Sequence, residues 1–130
     1  MSVKAIAKGV RTSPRKVGVV AALVRGRTVA DALVILEHTP RRAAEPVIKV
    51  INSAKANAEN NHNLKPGTLK IVEISVSPGT RLKRFKPVAR GSAHPFQRRT
   101  SHIRVVVDGE IRVSKKVTEA KKSTPKKETK

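Results

Sequence analysis

The sequence runs to 130 residues, with 29 Lys and Arg against 9 Asp and Glu and a formal charge of +20 at pH 7. One domain is the expectation at this length, and so large a charge repels itself in a compact state unless a polyanion neutralises it. That argues against an ordinary soluble enzyme and for a nucleic-acid-bound protein, while the absence of Cys excludes disulfide scaffolds, Cys-based zinc sites and thiol chemistry.

Residues 2–11 are β-compatible and basic, with Val3, Ile6 and Val10 apolar. Ser13-Pro14 predicts a helix start, Ser as N-cap and Pro at the first helical position. Val17, Val20, Ala21 and Val24 fall on one face of that helix, which Gly26 can end. Residues 17–24 are also the longest apolar run, far short of the ~20 residues a membrane span needs. Arg25-Gly26-Arg27 stands where a signal peptide would carry a small-residue cleavage site. The N-terminus, free of acids as far as Ala30, also suits an organellar transit peptide, but its cap and stripe make structure the better reading. Thr28 can cap a second helix with Asp31 in the capping-box position, its apolar face being Val29, Leu33 and Leu36. Thr39-Pro40 repeats the cap signal for a third helix, whose stripe is Ala44, Val47, Ile48, Ile51 and Ala58. Pro46 inside it predicts a kink or a later start. The polar run 60–63 and Pro66-Gly67 should then turn the chain.

Beyond that point the period switches to two. Val72, Ile74 and Val76 alternate, as do Ile103, Val105 and Val107, which predicts two strands. Asp108-Gly109 is a hairpin signal, so residues 110–113 could pair back as a short final strand. Residues 114–130 hold seven Lys and little that is apolar, and read as a disordered Lys-rich tail with generic affinity for polyanions. Leu, Ile, Val and Phe number 34, above the roughly one-fifth share of disordered sequences, so a small Val- and Ile-rich core can form.

Residues 78–99 are the most informative. No acid occurs from 74 to 107, yet Arg81, Lys83, Arg84, Lys86, Arg90, Arg98, Arg99 and Arg104 are present. Both Phe of the chain, Phe85 and Phe96, lie here among prolines and glycines that bend the backbone. A connection of this length is functional or disordered, and cations interleaved with Phe suit RNA, neutralising phosphates and stacking on unpaired bases. A floppy charged loop with two stray Phe is the competing reading, and the coincidence of charge, rings and bending residues outweighs it. Arg11, Arg15, Lys16, Arg25 and Arg27 form a second basic group around the first helix, whose start at Ser13 can offer N–H groups to a phosphate. On its own that group would read nearly as well as a solvated helix face.

Catalysis finds no support. His38, His62, His94 and His102 show no metal-protease spacing and no partner in a local motif. Asp108 and Glu110 fall in a predicted turn without the burial that acid–base tuning needs. The seven glycines are never spaced as a phosphate loop. No metal, cofactor or enzymatic activity is expected.

The residues also carry a resemblance. Arg11-Thr12-Ser13-Pro14-Arg15-Lys16, Leu23-Val24-Arg25-Gly26-Arg27, the Asn- and Ala-rich run 52–61, and Arg99-Thr100-Ser101-His102-Ile103 resemble the bacterial type of the large-subunit ribosomal protein twenty-two family over about residues 3–113. The resemblance implies an α+β fold, a small antiparallel sheet packed with three helices, with a long β-hairpin projecting at about 78–101. It implies a structural constituent of the large subunit, cytoplasmic or organellar, that binds large-subunit ribosomal RNA and supports assembly. Neighbouring ribosomal proteins and the nascent peptide would be its other partners, with no membrane, and the hairpin would line the exit tunnel near the macrolide site. Carried over, the hairpin contacts fall on Lys83, Arg84, Lys86, Arg90, Arg98 and Arg99, and the expected RNA-binding set adds Arg11, Ser13, Arg15, Lys16, Arg25, Arg27, Arg81, Phe85, Phe96 and His102. Leu82, Pro87, Ala89 and Gly91 fit the family's hairpin pattern, whereas Val88, Ser92 and His94-Pro95 depart from it at the tip.

Two rivals remain at this level. A DNA-architectural protein would use similar basic arms, since charge alone does not separate two polyphosphates. An RNA-modifying enzyme lacks any acid–base constellation. Sedimentation with large subunits rather than with the chromosome would discriminate.

Overall fold

The structure, a computed structural model, describes residues 2–112. Its centre is the strand whose alternation is cleanest. Ile103, Val105 and Val107 are all fully buried, and they sit on β3 (Ala93–Asp108), the middle strand of a three-stranded antiparallel sheet. β1 (Ser2–Val10) pairs along one edge and β2 (Lys70–Pro87) along the other, in the order β1-β3-β2. Cross-strand partners share a face. Val3 and Ala5 therefore join Val107 and Val105, while Ile71, Ile74 and Val76 join Val107, Val105 and Ile103.

Helices α1 (Pro14–Val24), α2 (Val29–Glu37) and α3 (Ala44–His62) supply the other half of the core. Val17, Val20, Val24, Leu36, Val47 and Ile51 form one buried cluster with the sheet residues. This is the α+β arrangement expected, three helices on a small antiparallel sheet with a long β2–β3 hairpin. No helix among the described residues is long and apolar enough to cross a membrane.

Local chemistry explains most of the boundaries. Pro14 opens α1 behind Ser13, whose carbonyl accepts from the Lys16 and Val17 N–H groups. Thr28 caps α2, its hydroxyl oxygen accepting from the Asp31 N–H at 3.2 Å while its O–H donates to the Asp31 carboxylate at 2.7 Å. Asn63 ends α3 with φ 50°, a left-handed conformation that Asn tolerates.

Four points are corrected or settled. First, Thr39 does not cap α3: its hydroxyl donates to the Ile35 carbonyl at 2.7 Å and so closes α2 instead. The third helix starts at Ala44, which leaves Pro46 in the first turn, where a missing N–H removes no helical bond. Second, the buried face of β1, which the sequence left open, is settled: Ile6 is half exposed, while Val3 and Ala5 are buried. A strand of period two cannot place Val3 and Ile6 on one face. Third, Val72 does not share a face with Ile74. A register shift between Ile71 and Glu73 buries Ile71 and Ile74 together and leaves Val72 59% exposed. The loop between α1 and α2 pins this arrangement, because the Ile71 carbonyl accepts from Gly26 and the Ile71 N–H donates to Arg27. Fourth, Asp108-Gly109 does not launch a returning strand. Residues 110–112 run beside the α3 exit, with an isolated bridge between Ile111 and Leu64. There the Lys65 N–H donates to Glu110 and the Arg112 N–H to Asn63. Val113 and the expected tail at 114–130 lie outside the described residues.

Candidate RNA interface

Residues 81–99, an extended loop by composition, form a regular two-stranded ribbon. Seven consecutive pairs run from Arg81 opposite Arg99 to Pro87 opposite Ala93. At ~3.4 Å per residue that is a reach of roughly 20 Å. No residue between 81 and 99 is buried, so the ribbon adds nothing to the core. Pro87 and Pro95 are tolerated because alternate N–H groups of a free ribbon face solvent. At the tip the Val88 N–H donates to the Ser92 carbonyl at 2.9 Å, and Arg90 and Gly91 both adopt positive φ.

Pairing sorts the side chains into two faces. Arg81, Lys83, Phe85, Gln97 and Arg99 lie on one, and Leu82, Arg84, Lys86, His94, Phe96 and Arg98 on the other. The two Phe differ. The Phe96 ring has the Lys86 ammonium 5.7 Å and the Arg98 guanidinium 5.8 Å from its centre, within the ~6 Å range of a cation–π contact. Phe96 thus organises cations on its own face. Phe85 is 69% exposed, and no cation–π contact among the described residues involves it.

The base of the ribbon is irregular, with register shifts in β2 between Pro78 and Arg81 and in β1 between Ala7 and Val10. The Thr100 hydroxyl donates to the Thr80 carbonyl at 2.7 Å, and a Cβ at Gly79 would lie 2.5 Å from that hydroxyl oxygen. A larger residue there would have to displace the Thr100 hydroxyl from its hydrogen bond. His102 Nδ1 accepts from the Gly9 N–H at 2.9 Å, so one nitrogen of this expected RNA ligand is engaged within the fold, and a neutral ring carries its proton on Nε2.

These bends bring the ribbon against the helices. Arg11, Ser13 and Lys16 from the start of α1 line an open cleft of about 750 Å³ with Gln97, Arg98 and Arg99. Arg41 and Arg42, just before α3, complete it. A smaller recess of about 170 Å³ adjoins Ser13, with Arg15, Arg81 and Arg99 in its wall. Pro14 has no N–H and the Lys16 N–H donates to Ser13, so in the first turn the Arg15 N–H and the helix dipole are what can act with the cations on an anion. The nearby acid is Glu45, whose carboxyl is held below the usual range by the hydrogen bond from Lys49, then by the Lys49 charge, with Arg42 a smaller influence. Lys49 binds it at 2.8 Å, which leaves the cleft strongly positive.

Arg41 and Arg42 are missing from the expected set; a dibasic pair directly after Thr39-Pro40 was the available signal. Arg25 and Arg27 are in the expected set but lie at the far end of α1, roughly 16 Å away at 1.5 Å per residue. There Arg27 donates to the Leu23 carbonyl and Arg25 to the Ile74 carbonyl, engaging a helix C-terminus and the β2 edge. The structure therefore joins Arg11, Ser13, Arg15 and Lys16 with Arg81, Arg98 and Arg99. It sets Arg25 and Arg27 apart, and it carries Lys83, Arg84, Phe85, Lys86 and Arg90 outward along the ribbon. Among the described residues no group of three or more His, Asp or Glu could hold a metal ion.

The sequence model of the family described as ribosomal protein L22p/L17e matches residues 5–108. The chain belongs to that family. It is similar to the large ribosomal subunit protein uL22 of Clostridium novyi (strain NT), 54% identical over 107 residues covering 82% of this chain and 96% of that protein. It is likewise similar to the large ribosomal subunit protein uL22 of Desulfitobacterium hafniense (strain DSM 10664 / DCB-2), 56% identical over 104 residues, 80% of this chain and 91% of that one. Membership in the L22p/L17e family makes the chain a structural ribosomal protein and not an enzyme.

Proposed function

We propose that this chain is a constituent of the cytoplasmic large ribosomal subunit that grips ribosomal RNA in the cleft and extends its ribbon into the peptide exit tunnel. The observation that carries the reading is the junction of two basic structures. Arg11, Lys16, Arg41, Arg42, Arg98 and Arg99 converge on one cleft, and from it leaves an acid-free ribbon with no buried residue. A body that holds phosphates and a projection that makes no core contacts fit an anchor and a probe. Arg81, Lys83, Arg84, Lys86 and Arg90 would meet RNA or the nascent chain along the tunnel wall near the macrolide site. Phe85 would stack on a base. Neighbouring ribosomal proteins would cover what RNA does not.

With about six phosphates neutralised, log K for large-subunit RNA should fall against log salt with a slope of roughly −4 to −5. The full chain, titrated against isolated large-subunit RNA between low and high KCl, measures it. A nearly flat response would overturn the electrostatic anchor, and sedimentation of the tagged chain away from large subunits would overturn the ribosomal reading.

A further inference from the structure

Helix α2 is exceptional in a chain of formal charge +20. Its sequence, VADALVILE, holds two acids and no Lys or Arg, whereas every other α-helix and strand among the described residues carries at least one cation. Burial of Val29, Ala32 and Leu36 turns Ala30, Asp31, Val34 and Glu37 outward. Residues three and four apart adjoin on a helix surface, so Val34 sits in the middle of this set, and it is 55% exposed. Glu37 is the last residue of the helix, the end at which the dipole disfavours an anion. No cation among the described residues pairs with it, although Glu45, Glu59 and Glu110 are all paired with Lys.

Carboxylates beside an exposed apolar residue disfavour phosphate, which argues against RNA as the cover of this face. A second copy of the chain brings the same large positive charge and its own repulsion. We propose that the outward face of α2 docks a basic protein segment, one that sets an apolar side chain on Val34 and a Lys or Arg against Glu37. The inference rests on the ribosomal reading above and names the kind of protein neighbour. A nine-residue helix offers little area, but two proteins already held on one RNA meet at high effective concentration, and a small contact then suffices.

The test places a photoreactive benzophenone side chain at position 34 of the full chain, in assembled large subunits, and identifies the crosslinked species by mass spectrometry. The expected product is a single basic ribosomal protein, crosslinked through a Lys- or Arg-containing segment. Glu37→Lys in the same chain should lower the crosslink yield by about threefold to fivefold, the effect of one exposed charge pair turned repulsive. The variant should still enter subunits and melt no lower than the parent, since Lys suits a helix C-terminus. Crosslinking to RNA, to a second copy, or to nothing in subunits that contain the chain would overturn the inference and leave the RNA anchor standing. An unchanged yield in Glu37→Lys would overturn the charge pairing. Failure of the parent chain to enter subunits would overturn the ribosomal reading and this inference with it.

Discussion

Arg90 holds φ 61° and ψ 30° at the ribbon tip, a conformation that costs an L residue roughly 1–2 kcal/mol and glycine almost nothing. Strain of this kind persists where a side chain is needed in that position. Arg90→Gly should therefore tighten the turn, slowing hydrogen exchange of the ribbon amides by up to about tenfold, while weakening RNA or nascent-chain contact at the tip. Faster exchange would mean that the Arg side chain itself supports the turn. The cleft gives a complementary case. Arg41 and Arg42 are exposed, and neither makes a side-chain hydrogen bond or ion pair among the described residues. Replacing both with Ala should leave the melting temperature unchanged within error. The salt slope for RNA binding should shrink by about 1.5 to 2, one phosphate contact per residue. An unchanged slope would place these two residues outside the interface. The dibasic pair after Thr39-Pro40 is a weak signal by itself, shared with any solvated connection; the return of β3 past Arg99 gives the pair its neighbours. Arg25 and Arg27 show the converse. Nearness in sequence grouped them with Arg15, and eleven residues of helix separate the two ends.

Elements were legible wherever one local signal decided them. Ser13-Pro14, the Thr28–Asp31 box and the alternation at 103, 105 and 107 each specify a boundary or a face without help from the rest of the chain. The strand β2 was legible but its buried face was not, because Ile71, Val72, Ile74 and Val76 allow two phases. The choice is made by the loop that bonds to both backbone groups of Ile71. The two phases predict opposite mutational profiles. Ile71→Ala should cost about 2–5 kcal/mol, the range for truncating a buried aliphatic side chain, whereas Val72→Ala should stay within about 0.5 kcal/mol. Urea unfolding of the two single variants decides it, and a larger loss at Val72 would show that the strand has no bulge. The ribbon was out of reach for a related reason. Its residues have no buried face, so no hydrophobic period marks them as strands; the pairing is set from the base by β2 and β3, already in register through Ile74 and Val105. The resemblance alone pointed to a hairpin there.

At the scale of the molecule, the proposed division of labour between body and ribbon can be tested by shortening one without touching the other. Removing Lys83 and Arg84 together with Phe96 and Gln97 deletes two facing pairs. An even number of pairs keeps Phe85 and Lys86 on their original faces, because side chains alternate with a period of two. The ribbon becomes about 7 Å shorter. None of the four residues is buried, and a shorter hairpin closes with no greater loss of chain entropy, so the melting temperature should be preserved. Arg11, Lys16, Arg41, Arg42, Arg98 and Arg99 all remain, so the chain should still enter large subunits. On the proposed reading, the tip footprint on ribosomal RNA should retreat by roughly the missing length, and the charge of Arg90 with it. Chemical footprinting of assembled subunits, with and without a bound macrolide, measures that retreat. A chain that no longer folds would place the ribbon in the core. Subunits that assemble normally with an unchanged tunnel footprint would show that the ribbon points elsewhere, and would leave the cleft as the part of the proposal still standing.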